Sequence, residues 1–311
     1  MTDTTPMIRL GTRNSPLAMA QAYETRQRLC GAHGWSEDQV ELVPVLASGD
    51  KVLDRPLAEI GGKALWTKEL DFWLHEGRID ASVHSMKDVE TLRPEALVIA
   101  AILPRADTAD RLVGATSVED IPTGSTVGTS APRRAAQLLH ARPDCKVVSF
   151  RGNVATRLSK LEKGEADCTL LASAGLDRLG EDEVGVRLDP ESWLPAPAQG
   201  AIGIECRADD GQTHSLLAAI NHAPSHHAVM AERVLLKALG GNCHSPIAML
   251  TTAHEDVLAL RCALFSPDGV ERIETTHSGL AEDLAWVAAM GEDLMARLTP
   301  SMVPHFGHHD N

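Results

Sequence analysis

Residues 10–22 read LGTRNSPLAMAQA, and residues 127–139 read VGTSAPRRAAQLL. In each, an apolar run ends in Gly-Thr, polar residues follow, and a proline stands where a helical run begins. Proline in the first helical turn sacrifices no hydrogen bond, because the N–H it lacks would be unpaired there anyway. The remaining free N–H groups of such a turn attract anions. One plan used twice predicts two α/β lobes, each offering a helix N-terminus to a shared cleft suited to a small anion.

Outward from both stretches, strand-like and helical runs alternate, which is the pattern of an α/β protein. The first set is a strand at MIRLGT (7–12), a helix from Pro16 to about Leu29, and a strand at VELVPVLA (40–47). A helix at LWTKELDFWLHEG (65–77), a strand at IDASVHSM (79–86) and the apolar run LVIAAIL (97–103) complete it. Beyond a crossing near Pro104, the second set is STVGTS (125–130), a helix through RRAAQLLHA (133–141), KVVSF (146–150), a helix at VATRLSKLEKG (154–164), and ADCTLLASA (166–174). In that last helix Val154, Leu158 and Leu161 share a face, and Gly164 suits the stop. Proline-rich WLPAPAQG (193–200) predicts a second crossing, back through the strand AIGIECR (201–207). From about 222 the pattern changes to a long helix through HHAVMAERVLLKALG (226–240), strands at VLALRCALFSPDG (257–269) and VERIETTHSG (270–279), and a helix over 280–298. The expected fold class is therefore α/β, two lobes plus a smaller C-terminal α+β domain. The expected boundaries are 1–103 with 198–220, then 104–197, then 221–311.

Composition limits the function. The 311 residues suffice for two or three domains. Acids outnumber bases 43 to 29, a net charge of −14 that argues against a nucleic-acid or anionic-membrane partner. Aromatics at 3% leave little for base stacking. The N-terminus has no signal-like apolar stretch, and ALVIAAIL is too short to span a bilayer, so a cytoplasmic location is expected. Six cysteines occur, none in a C-x-x-C pair. Cys168 and Cys206 lie in strand-like runs and read as inert core thiols. Cys243, in LGGNCHSPI (239–247), stands on a glycine-rich turn. It has no advertised base or further metal ligands, and adjacent His244 points elsewhere, so no metal site is expected and attachment of a group is the remaining reading.

The arginines gather at the same turns: Arg13, Arg133, Arg134, Arg151, Arg157 and Arg178. An arginine at a helix N-terminus opposes the macrodipole at a cost of about 0.3–1 kcal/mol. A charge-assisted bond to an anion returns roughly 1.5–3 kcal/mol. Any one of them could equally sit on a solvated face, but as a set they favour an anionic ligand. Carboxylate is preferred to phosphate, since no phosphate-binding glycine motif is present. Asp88, in SVHSMKD beside Ser85 and Lys87, ends a strand where a cleft would lie; it could cap its turn, or stabilise a cation or move a proton. Lys63 sits on the glycine turn of EIGGKALW, and His84 alternates with apolar neighbours as a packed residue does. A carboxylate-binding protein without catalysis and an enzyme both remain open on these residues.

The stretches GTRNSPLA, GGKALWTKEL, VHSMKDV, VGTSAPRR, RGNVATRLSKL, AGLDRLG, PAQGAIGIECR and GGNCHSPI together resemble the porphobilinogen deaminase (hydroxymethylbilane synthase) family over nearly the whole chain. The resemblance implies two lobes like those of type II periplasmic binding proteins and a third domain with a cofactor-bearing cysteine. It implies that Cys243 anchors a dipyrromethane cofactor through a thioether. Four porphobilinogen molecules are then joined head to tail with loss of ammonia, and the linear tetrapyrrole is released by hydrolysis. By position, Asp88, Arg13, Arg151 and Arg157 match catalytic residues. Lys87, Ser15, Ser85, Thr129, Ser130, Arg133, Arg134, Gln199 and Gly200 match cofactor contacts. Arg13, Arg151, Arg157, Arg178, Lys63 and Trp66 match substrate contacts. A monomer is implied. Departures from the family pattern are Glu59, Trp66, Ala131-Pro132, Glu90, Ala198 and Asn242.

Overall fold

The computed structural model describes residues 6–45, 67–242 and 244–307. The chain divides into two compact units: Met1–Arg105 with Ala201–His226, and Ala106–Gly200 with His227–Asn311.

In the first unit β1 (Ile8–Arg13) leads to α1 (Pro16–His33). Ser15 caps that helix by accepting from the Ala18 N–H at 3.3 Å, Pro16 opens it, and Gly34 ends it in the left-handed region at φ 67°. Its buried residues Ala18, Gln21, Ala22, Thr25 and Leu29 recur at helical spacing. There follow β2 (Val40–Val45), α2 (Lys68–His75), β3 (Ala81–Ser85) and β4 (Leu97–Ile102). Named in chain order, β10 (Ile202–Arg207) completes the sheet, whose strand order is β2-β1-β3-β10-β4. β10 runs antiparallel to both neighbours, with Ile202 opposite Ser85 and Gly203 opposite Ile102. Buried on both faces, it reads IGIECR, nearly unbroken in apolar character. A helix missing from the sequence expectation, α6 (Gly211–Ala218), is capped by Asp210.

The second unit repeats the plan. β5 (Asp110–Val113), β6 (Thr126–Gly128), β7 (Lys146–Val148), β8 (Cys168–Ala172) and β9 (Val186–Arg187) form a sheet in the order β7-β6-β8-β5-β9. β6, β7 and β8 correspond to β1, β2 and β3, while β5 takes the place of β10 and runs antiparallel to β8. Both sheets thus have one strand order. α3 (Pro132–Ala141) again opens on proline, but its N-cap Ala131 has no capping side chain. Gly128 is required where it stands, because a Cβ there would enter the ring of the buried Phe150. α4 (Val154–Glu162) is capped by Asn153 and stopped by Gly164 at φ 72°. Its apolar face is only half-buried. α5 (Ser173–Asp177) follows β8.

The C-terminal part has α7 (Ala223–Ala238), whose first four residues belong to the first unit, then β11 (Ile247–His254), β12 (Val257–Phe265) and β13 (Arg272–Leu280) as an antiparallel meander, and α8 (Ala285–Ala296). Leu235, Leu239, Ile247, Met249, Leu260, Cys262, Met290 and Leu294 fill its main core. The opposite face of the sheet packs Ala248, Leu250, Ala263 and Phe265 against Ala136 of α3 and Leu194.

Candidate functional site

β3 delivers Asp88 to its position. The strand ends at Ser85 and runs into a short 3-10 turn, Met86–Asp88, pinned by Met86 N–H donating to Ala201 O at 3.0 Å and Val89 N–H to Met86 O at 3.2 Å. Met86 and Val89 are buried while Asp88 is exposed, so the turn's apolar residues hold it down and leave the carboxylate outward. Around it lies a pocket of about 60 Å3 lined by Arg13, Ser15, Gln21, Thr67, His84, Ser85, Asp88 and apolar neighbours. Four residues nominated by the sequence, Arg13, Ser15, Ser85 and Asp88, therefore meet in one pocket. A larger hollow of about 360 Å3, lined by Arg28, Ala32, Pro104 and Ala219–His222, contains none of them.

Gln21 was not anticipated. It is buried, and its Nε2 donates to Ser85 Oγ at 2.7 Å, fixing that hydroxyl at the pocket. The available signal is a lone amide on the buried stripe Ala18, Ala22, Thr25, Leu29 of α1. His84 is packed as expected, its Nε2 2.8 Å from Ser82 Oγ and 3.3 Å from Glu205 Oε2. Glu205 also takes two bonds from Arg93. Burial opposes ionisation of its carboxyl, but His84 and Arg93 outweigh that and hold it down at about 2.

The second unit gathers another set at the ends of β6 and β7. Ser130 Oγ lies 3.0 Å from Ser149 Oγ and donates to Phe150 O at 2.8 Å. Arg151 follows, and Arg157, one turn into α4, donates from Nε to Gly152 O at 3.0 Å. Arg178 donates to Gly200 O at 3.1 Å. Arg151, Arg157 and Arg178 are half-buried.

Arg133 and Arg134, matched by position to cofactor contacts, turn inward and are only 4% and 5% exposed. Arg133 Nη2 donates to Asp110 Oδ2 at 2.8 Å, and Arg134 donates to Asp110 at 2.7 and 3.2 Å; Arg133 Nη1 reaches Leu194 O and Arg134 Nη1 reaches Leu170 O, while Arg133 Nε is buried with no partner among the described residues. Trp193 Nε1 and Gln199 Nε2 complete the shell around that carboxylate at 2.9 and 2.8 Å. Burial works against an ionised Asp110, yet the two guanidinium groups hold its carboxyl far below the usual range. Asp110 is thus one anion that both arginines face. Gln199, also expected at a cofactor, is 1% exposed and spends its amide on Asp110, Thr108 O and Ala109 O. Thr129 is likewise buried, its Oγ1 accepting from the Ala131 N–H at 3.2 Å to shape the turn before α3. Gly200, at φ 82°, brings its backbone close to Ala106 O.

Cys243, Lys63 and Trp66 lie outside the described residues. The flanks of Cys243 are tied down: Asn242 Oδ1 accepts from the His244 N–H at 2.8 Å, and Ser245 Oγ donates to His305 O at 3.1 Å. Burial pushes up the thiols of all five described cysteines, first among its causes, and that of Cys206 to about 11. None of these five is poised as a nucleophile.

Two α/β sheets of a single strand order, a carboxylate on a turn at the end of the third strand, and an added α+β part make up the class of protein seen here. A family model described as "Porphobilinogen deaminase, dipyromethane cofactor binding domain" matches residues 8–215, and one described as "Porphobilinogen deaminase, C-terminal domain" matches residues 226–299. Similar proteins named porphobilinogen deaminase come from Sphingopyxis alaskensis (52% identical, 95% of this chain and 95% of that one) and Paracoccus denitrificans (50%, 96% and 95%). One named as chloroplastic porphobilinogen deaminase, from Oryza sativa subsp. japonica, is 46% identical over 96% of this chain and 85% of its own. The chain belongs to the porphobilinogen deaminase family. Its activity is that of a transferase, hydroxymethylbilane synthase, in tetrapyrrole biosynthesis, and its first family domain is the one that binds dipyrromethane. The alternative of a non-catalytic binding protein is set aside.

Proposed function

We propose that Asp88 is the catalytic carboxylate for condensing porphobilinogen and that Cys243 carries the dipyrromethane through a thioether. The observation that carries this reading is the pocket in which Asp88 meets Arg13, Ser15 and Ser85. Its donor set fits acid-bearing pyrroles: a guanidinium for carboxylate, hydroxyls for further polar contacts, and one carboxylate for pyrrole N–H groups or a cation. When bound, dipyrromethane supplies the free pyrrole carbon to which new units are joined.

The chain's own residues do the rest. Asp88 stabilises the positive charge that develops as porphobilinogen sheds ammonia, and its outward carboxylate is placed for this by the buried residues on either side. Arg13 binds a substrate carboxylate, while Ser85, held by Gln21, and Ser15 orient the ring. Lys87, adjacent to Asp88, contributes a contact of the same kind. In the second unit Arg151, Arg157, Arg178 and Ser130 bind further side-chain acids, and Lys63 and Trp66 take part in substrate binding. Arg133, Arg134 and Gln199 serve as the frame around Asp110. A monomer in the cytoplasm is the state in which this works, with domains at 1–103 plus 198–220, 104–197 and 221–311. Among the described residues no helix is long and apolar enough to cross a membrane.

The intact mass of the purified protein tests the anchor. It is expected to exceed the sequence mass by two linked pyrroles, with the excess on the peptide containing Cys243 and absent from Cys243→Ser. An active preparation at the bare polypeptide mass refutes it.

A further inference from the structure

The 3-10 turn bearing Asp88 is held at both ends by the same strand. Upstream, Ser85 pairs with Ile202 at the start of β10, and Met86 N–H donates to Ala201 O. Downstream, the connection runs through side chains. Arg93 donates from Nε and Nη2 to the two oxygens of Glu205, at 2.9 and 2.8 Å, and Glu205 sits on β10. The same guanidinium donates from Nη1 to Glu90 Oε2 at 2.7 Å and from Nη2 to Asp71 Oδ1 of α2 at 2.5 Å. Glu90, two residues after Asp88, accepts in addition from Thr67 Oγ1 at 2.7 and 2.8 Å.

Thr67 and Asp88 both line the pocket. Glu90 thus ties one wall residue to the chain segment that carries the other, and Arg93 ties both to the central strand of the sheet. The hub is protected from water: the side chains of Arg93 and Glu205 are 9% and 0% exposed, and those of Asp71 and Glu90 are 20% and 24%. A planar fork with donors on two edges can join three carboxylates in fixed directions, which a lysine cannot do. Asp88 itself is exposed, so backbone held on either side must set where its carboxylate lies.

We propose that Glu90 and Arg93 are positioning residues for Asp88, a role that rests on Asp88 being the catalytic carboxylate. They touch no reacting atom. They fix the end of the turn, and so the direction of the carboxylate, against β10.

Single-turnover kinetics on Glu90→Gln and Arg93→Lys, each in the parent and in Asp88→Asn, test this, with melting temperatures and cofactor content measured alongside. Glu90→Gln keeps the size of the side chain and weakens the clamp. It is expected to lower kcat about tenfold, short of the ~10²-fold that a 1 Å misplacement can cost. KM should stay within about twofold, since the lost term belongs to the transition state. Arg93→Lys, with charge but no fork, should lower kcat similarly, and Glu90→Asp should retain more activity than Glu90→Gln. In Asp88→Asn neither substitution should lower kcat further, because its route of action is already gone. A lower melting point with unchanged kcat, or losses that multiply with Asp88→Asn, overturns the proposal. Unchanged kcat in Asp88→Asn itself would instead remove the catalytic reading of Asp88, and the positioning role with it. Impaired Asp88→Asn beside an unimpaired Glu90→Gln removes the positioning role alone.

Discussion

Asp110→Asn should be among the most damaging isosteric changes in the protein. Asp110 Oδ1 accepts from Arg134 Nη2 and Gln199 Nε2, and Oδ2 from Arg133 Nη2, Arg134 Nε and Trp193 Nε1. Whichever way an asparagine is flipped, its NH2 group faces two or three donors, so donor meets donor in a site that is 0% exposed. Two guanidinium groups at 4% and 5% exposure also lose their counter-charge. Breaking one buried ion pair from one side costs about 3–5 kcal/mol. With two cations stranded, the upper end is expected, about 5 kcal/mol against a total stability on the order of 5–15 kcal/mol. In a chain of this size that lowers the melting point by roughly 8 °C. Differential scanning fluorimetry and urea titration measure it. The half-exposed pair Arg187–Asp107 serves as control, where Arg187→Ala should cost under about 1 kcal/mol. Arg133→Leu discriminates the two partners proposed for that arginine. Partnered by Asp110, it destabilises Cys243→Ser as much as the parent. Partnered by a pyrrole acid, it destabilises only the primed protein. Melting of Asp110→Asn within about 2 °C of the parent would refute the reasoning.

Asp88→Asn should cut turnover by about 10²–10³, or ~2.7–4 kcal/mol, with an unchanged melting point because the residue is exposed, and Asp88→Glu should retain more activity; normal single-turnover rates with lost stability would make Asp88 a turn cap only. Stability should fall in acid. The folded Glu205 carboxyl lies at about 2 against an ordinary 4.5, so its stabilisation is complete above about pH 5 and lost as pH falls toward 2. That is worth roughly 3 kcal/mol, and Asp110 shifts in the same direction. Urea midpoints between pH 7 and 3 should show the fall, Glu205→Gln should flatten part of it, and a flat profile to pH 3 would contradict it. Ala198 sits at φ 57°, a left-handed conformation that costs a residue with a Cβ about 1–2 kcal/mol, so Ala198→Gly should raise stability by about 0.5–1 kcal/mol net of its greater unfolded freedom. A lower urea midpoint for that variant would mean that the backbone is not strained there.

Local grammar made much of this fold legible. The prolines and Gly-Thr turns place α1 and α3, and Gly164 ends α4 where expected. Cys168 and Cys206 are inert core thiols, as their strand-like settings suggest. What escaped depends on partners distant in the chain. β5 is four residues long and begins with a charge, and it is a strand because β8 and β9 flank it. β11 begins in the segment read as a turn and ends in polar TTAH, so no alternation marks it; β12 supplies its pairing. α6 and α5 are short, with little apolar stripe. The cost of a guanidinium at a helix start pointed to an anionic ligand near Arg133 and Arg134. The pairing of both with Asp110 was not legible, since nothing local links a carboxylate in DRLV to a helix start in PRR. The pocket was legible in Arg13, Ser15, Ser85 and Asp88 because motif-bearing turns carry them. The buried stripe of α1 concealed Gln21.

Strand order has a consequence for how this protein is made. β10 stands between β3 and β4, yet roughly 100 residues separate Ile102 from Ile202, about 5–20 s of translation at ~5–20 residues per second. Until then the first sheet on the ribosome has an open seam along β3, with unpaired backbone edges of the kind that template aggregation. The second sheet has no such wait, since β5 through β9 all lie within residues 110–187. The sheet whose strands emerge first is therefore finished last. The turn carrying Asp88, whose opening N–H needs the carbonyl of Ala201, is among the final pieces of that lobe to set.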